Sequence, residues 1–562
     1  LISHDLWILK NMNYKIVNGL LIDPVQKMNT IKQDLLIKNG IIVSRFDDGD
    51  KFEEIDCSDM IVMAGGIDMH THIGGGKTNL SRMLLPEDHY LNNSVRNSLE
   101  ITSSGYCTPG TYQAGYRYTE MGYTAAFEPA MIFSNARQAH MEMGDTPILD
   151  HGAYVMLGND ELFLEMLASN KGHEMIRDYV GWAMSASKSM GVKIVNPGGI
   201  SAFKFNQRSL DVDQNHQHWQ ISPRQIVREL AMCLSDLGVP HPLHIHASNL
   251  GVPGNIKSTL ETIDALDGLP GHLTHVQFHS YGTEGDKQFS SAARVLVEKL
   301  KLCPNISIDV GQIIFGQTVT ASGDTMKQHS NSGFSAPKKW IVGDIECDAG
   351  CGVVPFRYKE KSFVNALQWA IGLEIFLLMD DPWKVVLTTD HPNGGPFTSY
   401  PHLIRLLADK SFRDEQLNKL HPDVLAHTIL KDIKKELTLY EIAILTRSAP
   451  AKLLGLSNYG NLRKGSFADV AIYSQNKNFE KMFQKPKYVF KNGKLVCKDG
   501  DICGSTVGGV HIVKTDYDSN ITKYISGFYE KNIVSNFAYA EIGDEELQVC
   551  ANGGKILVTS PN

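Results

Sequence analysis

The chain has 562 residues, 42% of them hydrophobic and 21% charged, with a formal net charge of −8 and a sequence pI near 6.2. Such a length suits two to four domains, or one barrel of about 250 residues or more with additions. The acidic balance lacks the basic footprint of a nucleic-acid binder, and no run approaches the ~18 uncharged apolar residues of a spanning helix.

Nine cysteines, an odd number, argue against a fully paired secreted protein and for a reducing compartment, so a cytoplasmic location is expected. Cys347 and Cys351 form a C-x3-C spacing with no second pair beside it, which reads as packing rather than chemistry. Leu1 to Met12 carries His, Asp and Lys among its apolar residues, unlike a signal peptide, and Met12 reads as the natural start.

From Tyr14 the chain runs Y-K-I-V-N-G-L-L-I-D-P and then D-L-L-I-K-N-G-I-I-V-S, two strand-length stretches broken by Asn-Gly turns. The same style returns at Ala468 to Ser474 and Tyr488 to Gly500. These small antiparallel strands predict one β-sandwich domain assembled from both ends, with the middle of the chain inserted between them.

The next stretch, Met63 to Lys77, reads M-A-G-G-I-D-M-H-T-H-I-G-G-G-K. The apolar run Ile61 to Met63 leads into it and glycines bracket it, which places His70 and His72 at the end of a short buried strand. Side chains two apart on a strand share a face, so the two imidazoles can chelate one ion. Gly74, Gly75 and Gly76 are expected to turn the chain over that ion without filling the substrate's space.

Short apolar runs follow at Tyr123 to Pro129, Ile148 to Leu157, Val192 to Asn196, Leu243 to His246, Leu273 to Phe278, Ile306 to Val310 and Val385 to Asp390. Helical patterns separate most of them. One begins Ser222-Pro223 and ends at Gly238, with an N-cap serine, proline at the first position and a terminal glycine. Strand and helix in alternation predict a parallel sheet, and eight strands predict an α/β fold of the (β/α)8 TIM-like barrel kind. The expected divisions are 12–64 and 456–515 for the two halves of the β domain, 65–455 for the barrel and 516–562 for a C-terminal docking tail. Two long irregular stretches, Ser201 to Ile221 and Gly311 to Asp344, are expected over the carboxyl face, where barrel active sites form.

Polar residues recur at the carboxyl ends of these runs. Lys193 sits in an otherwise apolar fourth strand, where an ammonium is costly unless paired or neutralised. His244 and His246 share a face of the fifth, His275 lies in the sixth with His272 and His279 nearby, and Asp390 ends the eighth. Each alone is weak; five strands ending in metal-compatible groups are not.

This pattern resembles the amidohydrolase superfamily with a binuclear metal centre, and L-T-L-Y-E-I-A-I-L-T-R-S-A-P-A-K-L-L-G-L resembles its closing helix. Within it the chain is similar to the formylmethanofuran dehydrogenase A subunits and, more closely, to their bacterial relatives, the alpha subunits of formyltransferase/hydrolase complexes. The likeness is carried by I-D-M-H-T-H-I-G-G-G-K-T-N, L-L-P-E-D-H, H-M-E-M-G-D-T-P-I-L-D-H-G-A-Y-V-M-L-G-N-D-E-L-F, N-P-G-G-I-S-A-F-K-F-N-Q-R, H-A-S-N-L-G-V-P-G-N and T-T-D-H-P-N-G-G-P-F-T-S-Y-P-H. It implies hydrolysis of a formylated furan amine, methanofuran or methylofuran, to formate and free amine in one-carbon metabolism, beside other complex subunits.

The resemblance further implies that Lys193 is an N6-carboxylysine bridging two divalent ions, zinc being the expected metal. His70 and His72 would hold the first ion with Lys193 and Asp390, and His246 and His275 the second with Lys193; His279 is the substitute for His275. The carbamate turns a cation that repels metal into an anionic oxygen donor. With four positive charges on the ions against three from carbamate, Asp390 and hydroxide, the centre stays positive enough to polarise a formyl oxygen. Asp390 is the expected proton carrier. Asp68 either orients a ligand or caps its strand. Lys77, Asn79, Arg82, Lys204, Asn206, Arg208 and Asn249 are the expected contacts for the furan arm. Competing readings are a cyclic-amide hydrolase of the dihydroorotase or hydantoinase kind, a non-catalytic scaffold subunit, and an archaeal-type subunit coupled to a tungsten or molybdenum formate dehydrogenase.

Overall fold

The computed structural model describes residues 12–91, 99, 104–207, 209–322, 341–342, 352–532 and 536–561. Eight parallel strands form its central sheet: β1 (Gly66–Asp68), β2 (Tyr123–Met131), β3 (Asp150–Met156), β4 (Gly191–Val195), β5 (Leu243–His246), β6 (Gly271–Leu273), β7 (Ile306–Asp309) and β8 (Val385–Val386). Each pairs with the next in chain order. The sheet curls until its edges approach: Thr71 bridges His391 in parallel sense, and the His72 N–H donates to the His391 carbonyl at 2.9 Å.

Helices cover the outer face, so both faces of the strands are dry. Every residue of β2 and β4 is buried, which explains why these segments read as continuous apolar runs rather than alternating ones. The helix Pro223–Asp236 shows the predicted start: the Ser222 side chain accepts from the Gln225 N–H, the Gln225 side chain accepts from the Ser222 N–H, and proline occupies the first turn.

The chain ends meet in a seven-stranded sheet, where Met60–Ala64 from the amino-terminal part pairs antiparallel with Val470–Ser474. A four-stranded sheet is built from amino-terminal strands alone, Ile41–Val43, Leu35–Lys38, Asn13–Val17 and Phe52–Asp56. Ile16, Ile37 and Ile42 of this sheet share one apolar cluster with Val62, Val470, Ile472 and Phe490 of the other. Not all pairings are antiparallel as expected. Asn13–Val17 runs parallel to Phe52–Asp56, and Leu20–Asp23 parallel to Met60–Ala64, because long connections return each strand in the same direction.

The carboxyl-terminal segment docks on this same chain. Val510–Val513 pairs with the start of β3 and with Ile556–Thr559, adding two strands to the central sheet. Arg137, on the helix Ala136–Gly144, donates to Glu546 and to the carbonyls of Tyr539 and Glu541.

A buried ion cluster ties these parts together. The Lys491 ammonium donates to Asp150 at the foot of β3 and to Asp469, each at 2.7 Å, and all three side chains are buried. Burial alone would raise the Asp150 carboxyl, but Lys491 and His511 outweigh it and hold the group well below the usual carboxylate range. Lys491→Met leaves two carboxylates buried without their cation, and we expect a loss of about 3–5 kcal/mol, read from the urea unfolding midpoint. The paired carboxylate stabilises the wild type above its unfolded pKa of about 4 and loses that contribution as pH falls. Acid instead relieves the variant, whose unpaired buried carboxylates take up protons above that pH, so the gap between the two proteins narrows as pH falls, first on the variant's side above about pH 4 and then on the wild type's below it. A gap independent of pH contradicts this assignment.

Candidate metal centre

The register of the sheet builds the site in layers. Lys193 of β4 stands level with His244 of β5, His244 with His272, and His272 with Ser307 of β7. Val195 pairs with His246, so His246 lies one step nearer the carboxyl mouth. His244 and His246 share a face as expected, yet they work in different layers.

His70 and His72 lie just past the carboxyl end of β1. Nε2 of His70 is 3.0 Å from Asp390 Oδ1 and 3.4 Å from Lys193 Nζ, and Nε2 of His72 is 3.4 Å from the same Asp390 oxygen. On their far sides, His70 Nδ1 meets Asp309 at 3.0 Å, and His72 Nδ1 meets Glu128 at 2.8 Å. Burial opposes charge on Asp390, but His70 and His275 hold it well below the usual carboxylate range. It is an anion facing imidazole nitrogens, the form a metal ligand needs.

A second cluster adjoins the first. The rings of His246 and His275 are 4.5 Å apart, His279 lies 5.3 Å from each, and His275 lies 5.6 Å from His70. Within each trio, His70/His72/Asp390 and His246/His275/His279, the donor atoms all fall within 4.8 Å of one another. His275 and His279 thus both enter the cluster. Burial, then His246, holds His275 well below its ordinary value, so its imidazole is neutral. Its Nδ1 is buried without a hydrogen-bond partner among the described residues, a costly state that an ion on that nitrogen would relieve. The donor set therefore fits two ions of the zinc type.

The backbone is bent to present these groups. His275 and Asp390 both adopt left-handed conformations, at φ of 36° and 50°, which non-glycine residues rarely hold without surrounding support. The Asp309 carboxylate accepts from the His275 N–H at 2.6 Å, and Asn393 donates to Asp390 from its backbone at 2.6 Å and its side chain at 2.9 Å. Gly311 must be glycine, since a Cβ there would stand 2.3 Å from that of His275.

The expected substrate contacts fare differently. Arg82 donates to the Ile73 carbonyl at 3.0 Å, to Asn79 at 2.9 Å and to Glu142 at 3.4 Å, which knits Asn79 and Arg82 into support for the loop after His72. Lys77 lies in the same helix, Gly76–Leu84. Gly75 (φ 95°) turns the chain into that helix, and Gly74 packs on Met143 and Ala139; the glycine run thus serves a turn and a close packing contact. Lys204 ends the helix Gly199–Lys204 and pairs with Glu161 at 3.1 Å, and Asn206 sits in a left-handed turn at φ 62°. Arg208, Cys347 and Cys351 lie outside the described residues. Asn249 donates to Asp211 at 2.8 Å and Ser258 at 2.7 Å, in the wall of a cavity of about 430 Å³ that Asp213, Gln214 and Glu261 also line. The excursion after β7 begins and ends in a hairpin, Gly316–Ser322 against Gly352–Tyr358. Tyr358 fastens it to the Asn393 carbonyl at 3.0 Å, beside Asp390.

Asp68 is held by Tyr118 at 2.7 Å and by Tyr400, and it accepts from the His70 backbone N–H at 3.1 Å. It orients His70 through the main chain. Burial pushes its carboxyl up to about 6, against the pull of the two tyrosines. Glu128 and Asp309 escaped the sequence reading. Their signal was the one that exposed Lys193: a charged residue at the carboxyl end of an apolar strand.

Histidines and carboxylates gathered at the carboxyl mouth of a curled sheet of eight parallel strands are the arrangement of an α/β hydrolase. The chain belongs to the amidohydrolase family: residues 53–497 match the Amidohydrolase family. It is 39% identical over 521 residues to the Fhc A subunit of the formyltransferase/hydrolase complex of Methylorubrum extorquens, covering 92% of this chain and 94% of that protein. It is 41% identical over 519 residues to the protein FwdA of Methanocaldococcus jannaschii, covering 88% and 90%. Its fold matches a chain in the crystal structure of the Methylorubrum extorquens formyltransferase/hydrolase complex with methylofuran. There the TM-score is 0.92 at 36% identity, over 98% of this chain and all of that one (100%).

Proposed function

We propose that this chain hydrolyses an N-formylated furan amine of the methylofuran or methanofuran type to formate and the free amine, as one component of a formyltransferase/hydrolase complex in the cytoplasm. One observation carries the reading: in a chain so similar to the Fhc protein, His70 and His72 converge on Asp390, with Lys193 against His70 and with His246 and His275 adjoining.

In this reading Lys193, carboxylated on Nζ by CO2, would offer its carbamate oxygens to a pair of divalent ions. His70, His72 and Asp390 would hold one, and His246 with His275 the other, His279 being the alternative donor. Bound there, the ions would supply Lewis acidity and a water acidic enough to lose its proton near pH 7. Asp390 would carry a proton from the attacking water to the leaving amine. Asn393 aims the carboxylate for both transfers by occupying Oδ1 at 2.9 Å. The formyl group needs little room, so recognition falls on the furan arm, through the loops bearing Lys204, Asn206, Arg208 and Asn249 and the segment of Lys77, Asn79 and Arg82. The framework is a (β/α)8 barrel over 65–455 closed at Thr71 and His391. A β-sandwich from 12–64 and 456–515 flanks it, and 516–562 is a tail.

Formate release from an N-formylated furan amine by the assembled complex, with metal analysis of the same preparation, tests the proposal. We expect turnover with two ions per chain and none of comparable rate on a hydantoin or dihydroorotate. Turnover of the cyclic amides, or formate release by a metal-free preparation, overturns it.

A further inference from the structure

The two strand-one histidines can each bind metal through Nε2 only if Nδ1 carries the proton, and the structure dictates that choice from behind. Glu128 accepts from three backbone N–H groups, Ile73 at 2.9 Å, Gly74 at 3.3 Å and Ala130 at 3.1 Å. So occupied, its carboxylate is a pure acceptor, and His72 Nδ1 at 2.8 Å must be the donor.

For His70 the constraint begins far away. The Leu453 carbonyl can only accept, so His241 Nδ1, 3.2 Å from it, donates and His241 Nε2 accepts. His244 Nδ1 then donates to His241 at 3.0 Å, which leaves His244 Nε2 as an acceptor 3.0 Å from His70 Nδ1. Asp309 stands 3.0 Å from that same nitrogen, and His272 and the His275 N–H also give it protons to accept. Each path ends with a proton on His70 Nδ1 and a bare Nε2 turned to Asp390.

We propose that Glu128, and Asp309 backed by the His241–His244 chain, are positioning residues that lock His72 and His70 as Nε2 ligands and so set the affinity of one ion of the pair. This rests on the metal centre proposed above. In Glu128→Gln the amide must put its NH2 either on the Ile73 and Gly74 N–H groups or on His72. The second arrangement draws the His72 proton to Nε2 and closes that nitrogen to metal.

The test is competition for zinc by a chromogenic chelator on the assembled complex, with wild type, Glu128→Gln, Asp309→Asn and Glu128→Asp. We expect two ions per wild-type chain. In Glu128→Gln one ion should be given up about 10–100-fold more readily, while the ion at His246 and His275 stays and reports a folded chain; Asp309→Asn should show the same loss at the His70 ion with a smaller one at His275, whose N–H Asp309 also accepts. Glu128→Asp, which keeps an acceptor-only carboxylate, should recover part of the loss. Wild-type competition curves in both the Gln and Asn variants, or equal loss of both ions, overturn the inference. Wild-type protein that binds no metal fails the underlying reading instead.

Discussion

Lys193→Ala is expected to reduce formate release to background and to cut bound metal from two ions per chain to one or none. Lys193 is buried, with its Nζ 3.4 Å from His70 Nε2. An uncarboxylated ammonium there would stand among the donors that a cation must approach. Carboxylation replaces that repulsion with two anionic oxygens, and truncation to alanine leaves a cavity of about the size of a short carboxylic acid. Acetate or propionate supplied to the variant should therefore restore part of both metal content and turnover. Steady-state rates and metal analysis at increasing acid concentration check this. Full metal content and normal turnover in the unsupplemented variant would sink the carbamate assignment.

Asp390→Asn carries the next largest effect, a fall in kcat of about 10²–10⁴, the range for a lost proton carrier. Asparagine preserves the shape but replaces the anionic ligand oxygen with a neutral amide, whose NH2 must stand either where the ion would sit beside His70 and His72 or against the NH2 of Asn393. Loss of the His70/His72 ion should accompany the rate loss, and the ion at His246 and His275 should remain. A variant that keeps both ions and loses only kcat separates proton transfer from ligation. One that keeps wild-type kcat contradicts both roles.

Much of the site was legible because its charged and imidazole groups violate the pattern around them. Lys193 in an apolar strand, His246 at a strand end and Asp390 before a Pro-Asn turn each stand out against strands that are otherwise dry. Their convergence followed from strand count alone, since parallel strands deliver their carboxyl ends to one face. The layers beneath were not legible. His244 and His246 carry the same period-two signature, and only the register with Lys193 separates the histidine that faces the mouth from the one below it. Asn79 and Arg82 were expected as substrate contacts because they follow His72, and no local pattern showed that they also brace the loop after it. Their partners, Glu142 and the Ile73 carbonyl, come from a helix and a loop whose approach no local pattern encodes. The tail illustrates the same limit: residues 516–562 were expected to dock, but the pairing of Ile556–Thr559 with Val510–Val513, which itself joins β3 at His151, depends on an edge exposed elsewhere in the fold.

Diffraction from crystals of the assembled complex at wavelengths on either side of the metal absorption edge tests the binuclear centre most directly. Two anomalous peaks are expected. One lies among His70, His72 and Asp390, the other beside His246 and His275 or His279, with electron density running on from Lys193 Nζ to both. A single peak or none in fully active crystals, with Lys193 ending at a bare ammonium, contradicts it.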